Sequence, residues 1–215
     1  MDLFLSQQPN IQEIAKDAYL LKGFALNNQA QILADLSQII SVSPFRQMVT
    51  PGGFTMSVAM TNCGALGWVT DRKGYRYISH DPLANKPWPV MPASFKQLAQ
   101  QAALEAGFNN FTPDACLINQ YKIGALMTLH QDKDELDFSQ PIVSVSLGLP
   151  ATFQFGGFER SDKATKLLLA HGDVVVWGGE SRLRYHGVLP LKAGCHAVLG
   201  EFRVNFTFRK AGLTI

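Results

Sequence analysis

His130-Gln131-Asp132 sets an imidazole and a carboxylate two residues apart, at the end of a segment (126–130) that reads as a strand. In extended chain, residues i and i+2 project to the same side, so both side chains can face one metal ion. A second imidazole has to come from elsewhere, and the chain offers His80, His171, His186 and His196. His186 lies in Arg184-Tyr185-His186-Gly187, at the end of another expected strand (182–187). Two His and one carboxylate on one side of an ion leave positions open, which suits Fe(II) that must take a cosubstrate and O₂ together. Zinc hydrolysis uses the same donors, and a short His-x-Asp pattern also describes an ordinary surface pair.

Arg203-Val204-Asn205-Phe206-Thr207-Phe208-Arg209 alternates strictly, with apolar residues on one face and Arg, Asn, Thr and Arg on the other. In a barrel that buries both faces, two arginines would point inward, and buried cations without partners are too costly to keep. A ligand with two carboxylates would satisfy them, since guanidinium grips carboxylate bidentately. The competing reading is an edge strand with Arg203 and Arg209 in water. Joined to the metal pattern, a metal plus a dicarboxylate explains more.

The elements that must carry these residues are mostly β. From residue 114 onward the expected strands are 115–121, 126–130, 141–148, 151–156, 166–170, 173–177, 182–187, 196–201 and 203–209, short and rich in Val, Ile and Phe. No helix-length periodic segment interrupts them, so a sandwich or barrel is expected rather than βαβ units. Two helices precede them. Residues 28–40 carry Ile32, Leu33, Leu36, Ile39 and Ile40 at helical spacing after Asn27 and Asn28, which can cap. Residues 93–106 put Phe95, Leu98, Ala99, Ala102 and Ala106 on one face, between Pro92 with Ser94 and Gly107. The class is mainly β with flanking helices (α+β).

Residues 44–92 differ in texture. Turn formers alternate with Phe45, Phe54, Trp68, Tyr75, Tyr77 and Trp88, and residues 44–90 hold five Lys/Arg against two Asp. That reads as surface hairpins whose aromatics either pack a loop-rich flank or stack bases beside arginine.

Composition narrows the classes. The chain has 215 residues, 47% hydrophobic and 17% charged, with net charge +2. It has too many aromatics for a disordered chain and no apolar run near the roughly 20 residues of a helical membrane span. No signal peptide is expected, and three cysteines without a CxxC point to a reducing cytoplasm. The modest charge means that recognition of nucleic acid would lean on a pocket.

HQDKDE (130–135), His186 and RxNxTxR (203–209) resemble the iron- and 2-oxoglutarate-dependent dioxygenases of the AlkB family, near its bacterial alkylated-DNA repair members. The likeness covers nearly the whole chain, through SPFRQMVTPGG (43–53), TMSVAMTNCG (55–64), PDACLINQY (113–121), PIVSVSLGLPA (141–151), FQFGG (153–157) and HGDVVVWGGESR (171–182). It implies a double-stranded β-helix (jelly-roll) core with an N-terminal nucleotide-recognition lid. Three segments follow: an extension and helix (1–43), the lid (44–92) and a helix plus dioxygenase core (93–215), forming one compact domain.

By the same resemblance, His130, Asp132 and His186 bind Fe(II). Asn119, Gln120, Tyr121, Arg203, Asn205, Thr207 and Arg209 hold 2-oxoglutarate, and O₂ is the second cosubstrate. Trp68 stacks on the base opposite His130, Tyr75 and Tyr77 contact the nucleotide backbone, and Asp134 and Arg160 shape base recognition. The implied activity is oxidative dealkylation of N1-methyladenine and N3-methylcytosine in single- or double-stranded DNA and also RNA, by a monomer. Decarboxylation of 2-oxoglutarate is coupled to methyl hydroxylation and formaldehyde release. Phe54, Gln120, Leu126 and Met127 stand where the bacterial members carry Tyr, Arg, Lys and Leu, positions that bear on affinity rather than on the reaction. The alternatives are a related hydroxylase acting on a protein or small molecule, and a nonenzymatic nucleic-acid-binding module.

Overall fold

A computed structural model describes residues 10–213. In chain order the elements are β1 (Asn10–Ala15), β2 (Ala18–Lys22), α1 (Gln29–Val42), β3 (Arg46–Val49), β4 (Thr55–Gly64), β5 (Gly67–Asp71), β6 (Gly74–Ile78), β7 (His80–Asp81), β8 (Lys86–Pro87) and α2 (Ala93–Glu105). There follow β9 (Ala115–Tyr121), β10 (Met127–His130), β11 (Ile142–Gly148), β12 (Ala151–Phe155), β13 (Thr165–Leu169), β14 (Val174–Trp177), β15 (His186–Val188) and β16 (Arg203–Arg209).

Eight strands form one sheet in the order β1-β2-β14-β11-β16-β9-β4-β3, and four form a second in the order β10-β15-β12-β13. The numbering shows crossovers rather than hairpin succession, as expected of a jelly roll. β5 with β6 and β7 with β8 make two separate hairpins.

The central strands of the large sheet, β14, β11, β16 and β9, are buried on both faces. The sheet's outer face packs on the helices: Ile32, Leu36 and Ile39 of α1 and Phe95, Leu98 and Ala102 of α2 share one apolar cluster with Val204, Phe206 and Phe208 of β16. Phe95 stacks on Phe206 with ring centroids 4.5 Å apart. Each fully buried side chain of this size contributes about 1.5–3 kcal/mol, so the helices brace the strand that carries the two arginines. The inner face and the small sheet enclose a second cluster, with Leu117, Tyr121, Phe153, Phe155, Val175 and Trp177.

Local details depart from the sequence reading. Asn28 makes no side-chain cap on α1, and α2 starts at Pro92 without one. Ser94 instead donates its hydroxyl to Asp35, a carboxylate buried on α1 that also takes Gln31, so the pair ties the helices together. Residues 196–201 are not a strand but a tight turn closed by reciprocal His196–Gly200 backbone bonds, with Gly200 at φ +58°. The expected strand 182–187 begins only at His186, because a short 3₁₀ turn (Gly179–Ser181) and a turn through Arg184 precede it. β1 and β2 were not expected at all.

β3 and β4 also belong to the large sheet, with β4 paired to β9 from Ala59 to Gly64. The separate hairpins therefore begin after residue 64 rather than at 44. Gly67 sets where β5 crosses: a Cβ there would lie 2.4 Å from the indole of Trp88, whose Nε1–H donates to the Ile78 carbonyl. The three cysteines are free, with Cys63 and Cys116 buried and Cys195 exposed. Among the described residues no helix is long and apolar enough to cross a membrane.

Candidate metal and cosubstrate centre

β10 and β15 run antiparallel with His130 directly opposite His186, and the two rings lie 4.4 Å apart. Gly187 permits this approach, since a Cβ there would sit 2.7 Å from the Met127 carbonyl. Each imidazole has its Nδ1 on a backbone carbonyl, His130 on Thr128 (2.9 Å) and His186 on Arg184 (3.1 Å). A carbonyl only accepts, so Nδ1 carries a proton, and in the neutral ring Nε2 is the atom that keeps its lone pair. Both Nε2 atoms lie 3.7 Å from the Asp132 carboxylate, one on each oxygen. One donor atom from each of the three residues falls within a 4.8 Å group.

The charges around this group are matched. Burial would raise the Asp132 pKa, but Arg209 above all, with Arg182, overcomes it and holds the carboxyl well below the usual range. Burial and His130 bring His186 down to about 3, so it stays neutral and able to ligate. Arg209 donates Nε and Nη2 to Asp132 Oδ2 at 3.0 and 2.7 Å.

Beside the group lies a cavity of about 410 Å³, lined by Asn119, Tyr121, Ser144, Trp177, Arg203, Asn205, Thr207 and Arg209, with Trp68, Tyr75, Asp134 and Arg160 at other points of its wall. Arg203 is 2% exposed. It donates Nη2 to Ser146 and lies over the Tyr121 ring, yet its Nε and Nη1 have no partner. Asn119 Oδ1 and Trp177 Nε1, on the same wall, are also buried without one. Burial lowers the Arg203 pKa, and only Tyr121 offsets this. Orphaned buried polar groups are rare and costly, and the free Arg203 and Trp177 N–H donors of this wall fit a carboxylate-bearing ligand. The donor set, one carboxylate and two imidazoles, fits Fe(II).

The match with the description "2OG-Fe(II) oxygenase superfamily" spans residues 17–209. Alpha-ketoglutarate-dependent dioxygenase AlkB of Salmonella typhimurium is 60% identical over 211 residues, 98% of each chain. The chain belongs to this superfamily. It is an Fe(II)- and 2-oxoglutarate-dependent dioxygenase that uses O₂. The solved structure of OsALKBH1 superposes with a TM-score of 0.81 at 28% identity, covering 93% of this chain and 99% of that one. Nucleic acid dioxygenase ALKBH1 of Homo sapiens is 34% identical over 123 residues, 57% of this chain and 31% of its own.

Most of the residues expected at the site converge on the cavity; two do not. Gln120 follows Asn119 on β9, and with Leu117, Asn119 and Tyr121 turned inward, strand alternation turns it away. Gln120, expected at 2-oxoglutarate, is therefore not on the cavity wall. Tyr77 also does not line the cavity: its hydroxyl donates to Glu135 at 2.7 Å. Trp68 does line it, held by a side chain that imitates backbone: Asn62 Oδ1 accepts the Trp68 N–H and Asn62 Nδ2 donates to the Trp68 carbonyl, both at 3.0 Å. Its ring stacks on Tyr75 at 5.6 Å, and its Nε1 donates to Asp134 at 2.8 Å. Arg160 lies over the Tyr185 ring.

Sequence reasoning missed Glu135, Arg182, Ser144 and Ser146. Glu135 is buried against Arg182 at 3.0 Å, and Arg182 Nη1 donates to the Asp132 carbonyl at 2.7 Å. The available signal was the carboxylate run Asp132, Asp134, Glu135, too acidic for a plain surface turn beside two inward arginines.

Proposed function

We propose that the enzyme removes alkyl groups from nucleic-acid bases, with N1-methyladenine and N3-methylcytosine in DNA, and also RNA, as substrates. The observation that carries this is the placement of Trp68, backed by Asp134, on the wall of the cavity that also holds His130. A flat electron-rich ring beside a carboxylate suits a flat cationic base. The names of the relatives, a dioxygenase AlkB and a nucleic acid dioxygenase, agree with it.

Bound Fe(II), with 2-oxoglutarate and O₂, supplies the oxidation that hydroxylates the N-alkyl carbon and so releases formaldehyde and the repaired base. His130, Asp132 and His186 would hold the metal. Arg203 and Arg209 would take the carboxylates of 2-oxoglutarate, with Asn119, Tyr121, Asn205 and Thr207 fixing its orientation. Trp68 and the His130 ring would clasp the base, Tyr75 would meet the backbone, and Arg160 and Asp134 would read base edges. The base has to leave its stack to reach the cavity, and a lesion that cannot pair costs less to extrude. The β5–β6 and β7–β8 hairpins, residues 65–92, with the β3–β4 turn, would form the lid. The chain is read as a cytoplasmic monomer.

Incubation of a mixed set of methylated DNA and RNA oligonucleotides with Fe(II) and 2-oxoglutarate, followed by mass spectrometry, tests the reading. Loss of 14 mass units, the CH₂ difference between N-methyl and N–H, is expected from N1-methyladenine and N3-methylcytosine strands. His130→Ala should abolish it. Succinate formation stimulated by a peptide or small molecule, with no oligonucleotide demethylated, would replace nucleic acid as the substrate.

A further inference from the structure

Trp68 and Tyr77 are register partners across β5–β6, and Asp134 and Glu135 are consecutive on the segment that carries Asp132. The two aromatics of the hairpin thus meet two neighbouring carboxylates, Trp68 to Asp134 at 2.8 Å and Tyr77 to Glu135 at 2.7 Å. The two bonds lie in different surroundings. Trp68–Asp134 is at the cavity wall, whereas Glu135 is 5% exposed. Glu135 Oε1 takes the Tyr77 hydroxyl and faces Arg209 Nε at 3.3 Å, and Oε2 takes Arg182 at 3.0 Å. Arg209 is in turn bonded to the Asp132 carboxylate and Arg182 to its carbonyl. One buried carboxylate therefore joins the hairpin to the segment of the metal site and to an arginine of the cavity.

We infer that Glu135 is a positioning residue that latches the β5–β6 hairpin to Arg209, with the Tyr77 hydroxyl as the hairpin's half of the latch. The inference rests on reading Arg209 as a carboxylate grip, and only its link to lid closure rests on reading the hairpin as lid. Tyr77 and Arg209 share one oxygen of Glu135. Lifting the hairpin frees that oxygen and draws Arg209 toward it. Docking the hairpin divides that oxygen between the Tyr77 hydroxyl at 2.7 Å and Arg209 at 3.3 Å, which weakens its hold on the guanidinium and favours the turn to a ligand carboxylate. Burial, with Glu135 and Asp132, outweighs the pull of Arg209 and holds the Tyr77 pKa well above that of an ordinary phenol, so the hydroxyl remains a donor. A phenol donating to a buried carboxylate makes a charge-assisted bond, stronger than a neutral one. The latch thus links lid closure to cosubstrate binding through a residue that touches neither the metal nor the cavity.

Two measurements on the full chain loaded with Mn(II), which does not turn over, test the latch: amide hydrogen exchange across residues 67–78, and the dissociation constant of 2-oxoglutarate. Tyr77→Phe keeps the ring and removes only the hydroxyl. It should speed hairpin exchange about tenfold, the effect of losing one charged hydrogen bond, and weaken 2-oxoglutarate binding several-fold. Glu135→Gln should do both, and the double variant should do no more than Glu135→Gln alone. Tyr77→Phe removes one hydroxyl and leaves the buried charges of Glu135, Arg182 and Arg209 in place, so it stands as the decisive variant if Glu135→Gln does not fold. Faster exchange with unchanged 2-oxoglutarate binding, or strictly additive effects in the double variant, would overturn the latch. If both readouts shift while the KM for a methylated oligonucleotide stays at the wild-type value, the latch stands and the lid reading falls.

Discussion

The two faces of β16 are equally buried and do opposite work. Val204, Phe206 and Phe208 on one side, and Arg203, Asn205, Thr207 and Arg209 on the other, are all exposed by 6% or less. The apolar face is complete in itself: its three side chains share one apolar cluster with residues of both helices. The polar face is incomplete. Asn205 and Thr207 bond neighbours, Arg209 leans on Asp132, and Arg203 keeps two unpartnered nitrogens. Burial alone does not separate structure from function here. What separates them is whether the buried groups are satisfied by the protein, and the polar face is satisfied only with a ligand present.

The largest effect expected from this contrast is in stability and falls on the apolar face. Phe206→Ala removes the ring that stacks on Phe95 at the centre of the outer cluster. The loss should be about 3–5 kcal/mol, read from urea unfolding, with the 2-oxoglutarate affinity of the folded fraction unchanged. A large drop in affinity at full folding would mean that the two faces are not separable.

Arg203→Met should act in the opposite sense. Without ligand, the variant loses a buried cation that has no anionic partner and keeps similar volume, so stability should hold or rise by about 1 kcal/mol. With ligand, the order reverses. The wild type at a hundredfold excess of 2-oxoglutarate over its dissociation constant gains about 2.7 kcal/mol, and the variant should gain almost none. Thermal unfolding with and without 2-oxoglutarate, in Mn(II), gives both halves. A variant less stable than the wild type without ligand would show that Arg203 is already satisfied by Tyr121 and Ser146.

The same contrast explains what the sequence made legible. Strict alternation in 203–209 revealed two faces, and HQD with a distal His revealed donors, because both are local patterns. Glu135 and Arg182 escaped, since an ion pair 47 residues apart has no periodicity. β1 escaped because four of its six residues are exposed at the edge of the sheet and lack a strand's apolar alternation. The segment 196–201 was misread because Ala197-Val198-Leu199 looks like a strand, while Val198 is exposed and the chain turns back on itself. Gln120 was placed at the cosubstrate by its neighbours, although its own parity on β9 points it away.

Thr207→Val is the smallest and sharpest change, because it alters one hydrogen bond and nothing of the shape. Thr207 Oγ1 donates to Asn205 Oδ1 at 3.1 Å, while Asn205 Nδ2 is held by Ser144 Oγ and the Val145 carbonyl at 2.8 and 2.9 Å. The amide therefore keeps its donors anchored and loses one acceptor contact. The expected cost is about 1 kcal/mol, that of one net hydrogen bond. On an apolar face the same exchange would be neutral or stabilising. On this face Asn205 Oδ1 also loses its partner inside the cavity wall, so the KM for 2-oxoglutarate should rise two- to five-fold, on the order of 0.5–1 kcal/mol, with kcat unchanged. Thr207→Ser keeps the hydroxyl and loses only a methyl group, so it should restore the wild-type KM. If Ser and Val raise the KM equally, Thr207 serves the cavity by packing, and the polar face is closer in kind to the apolar one than its chemistry suggests.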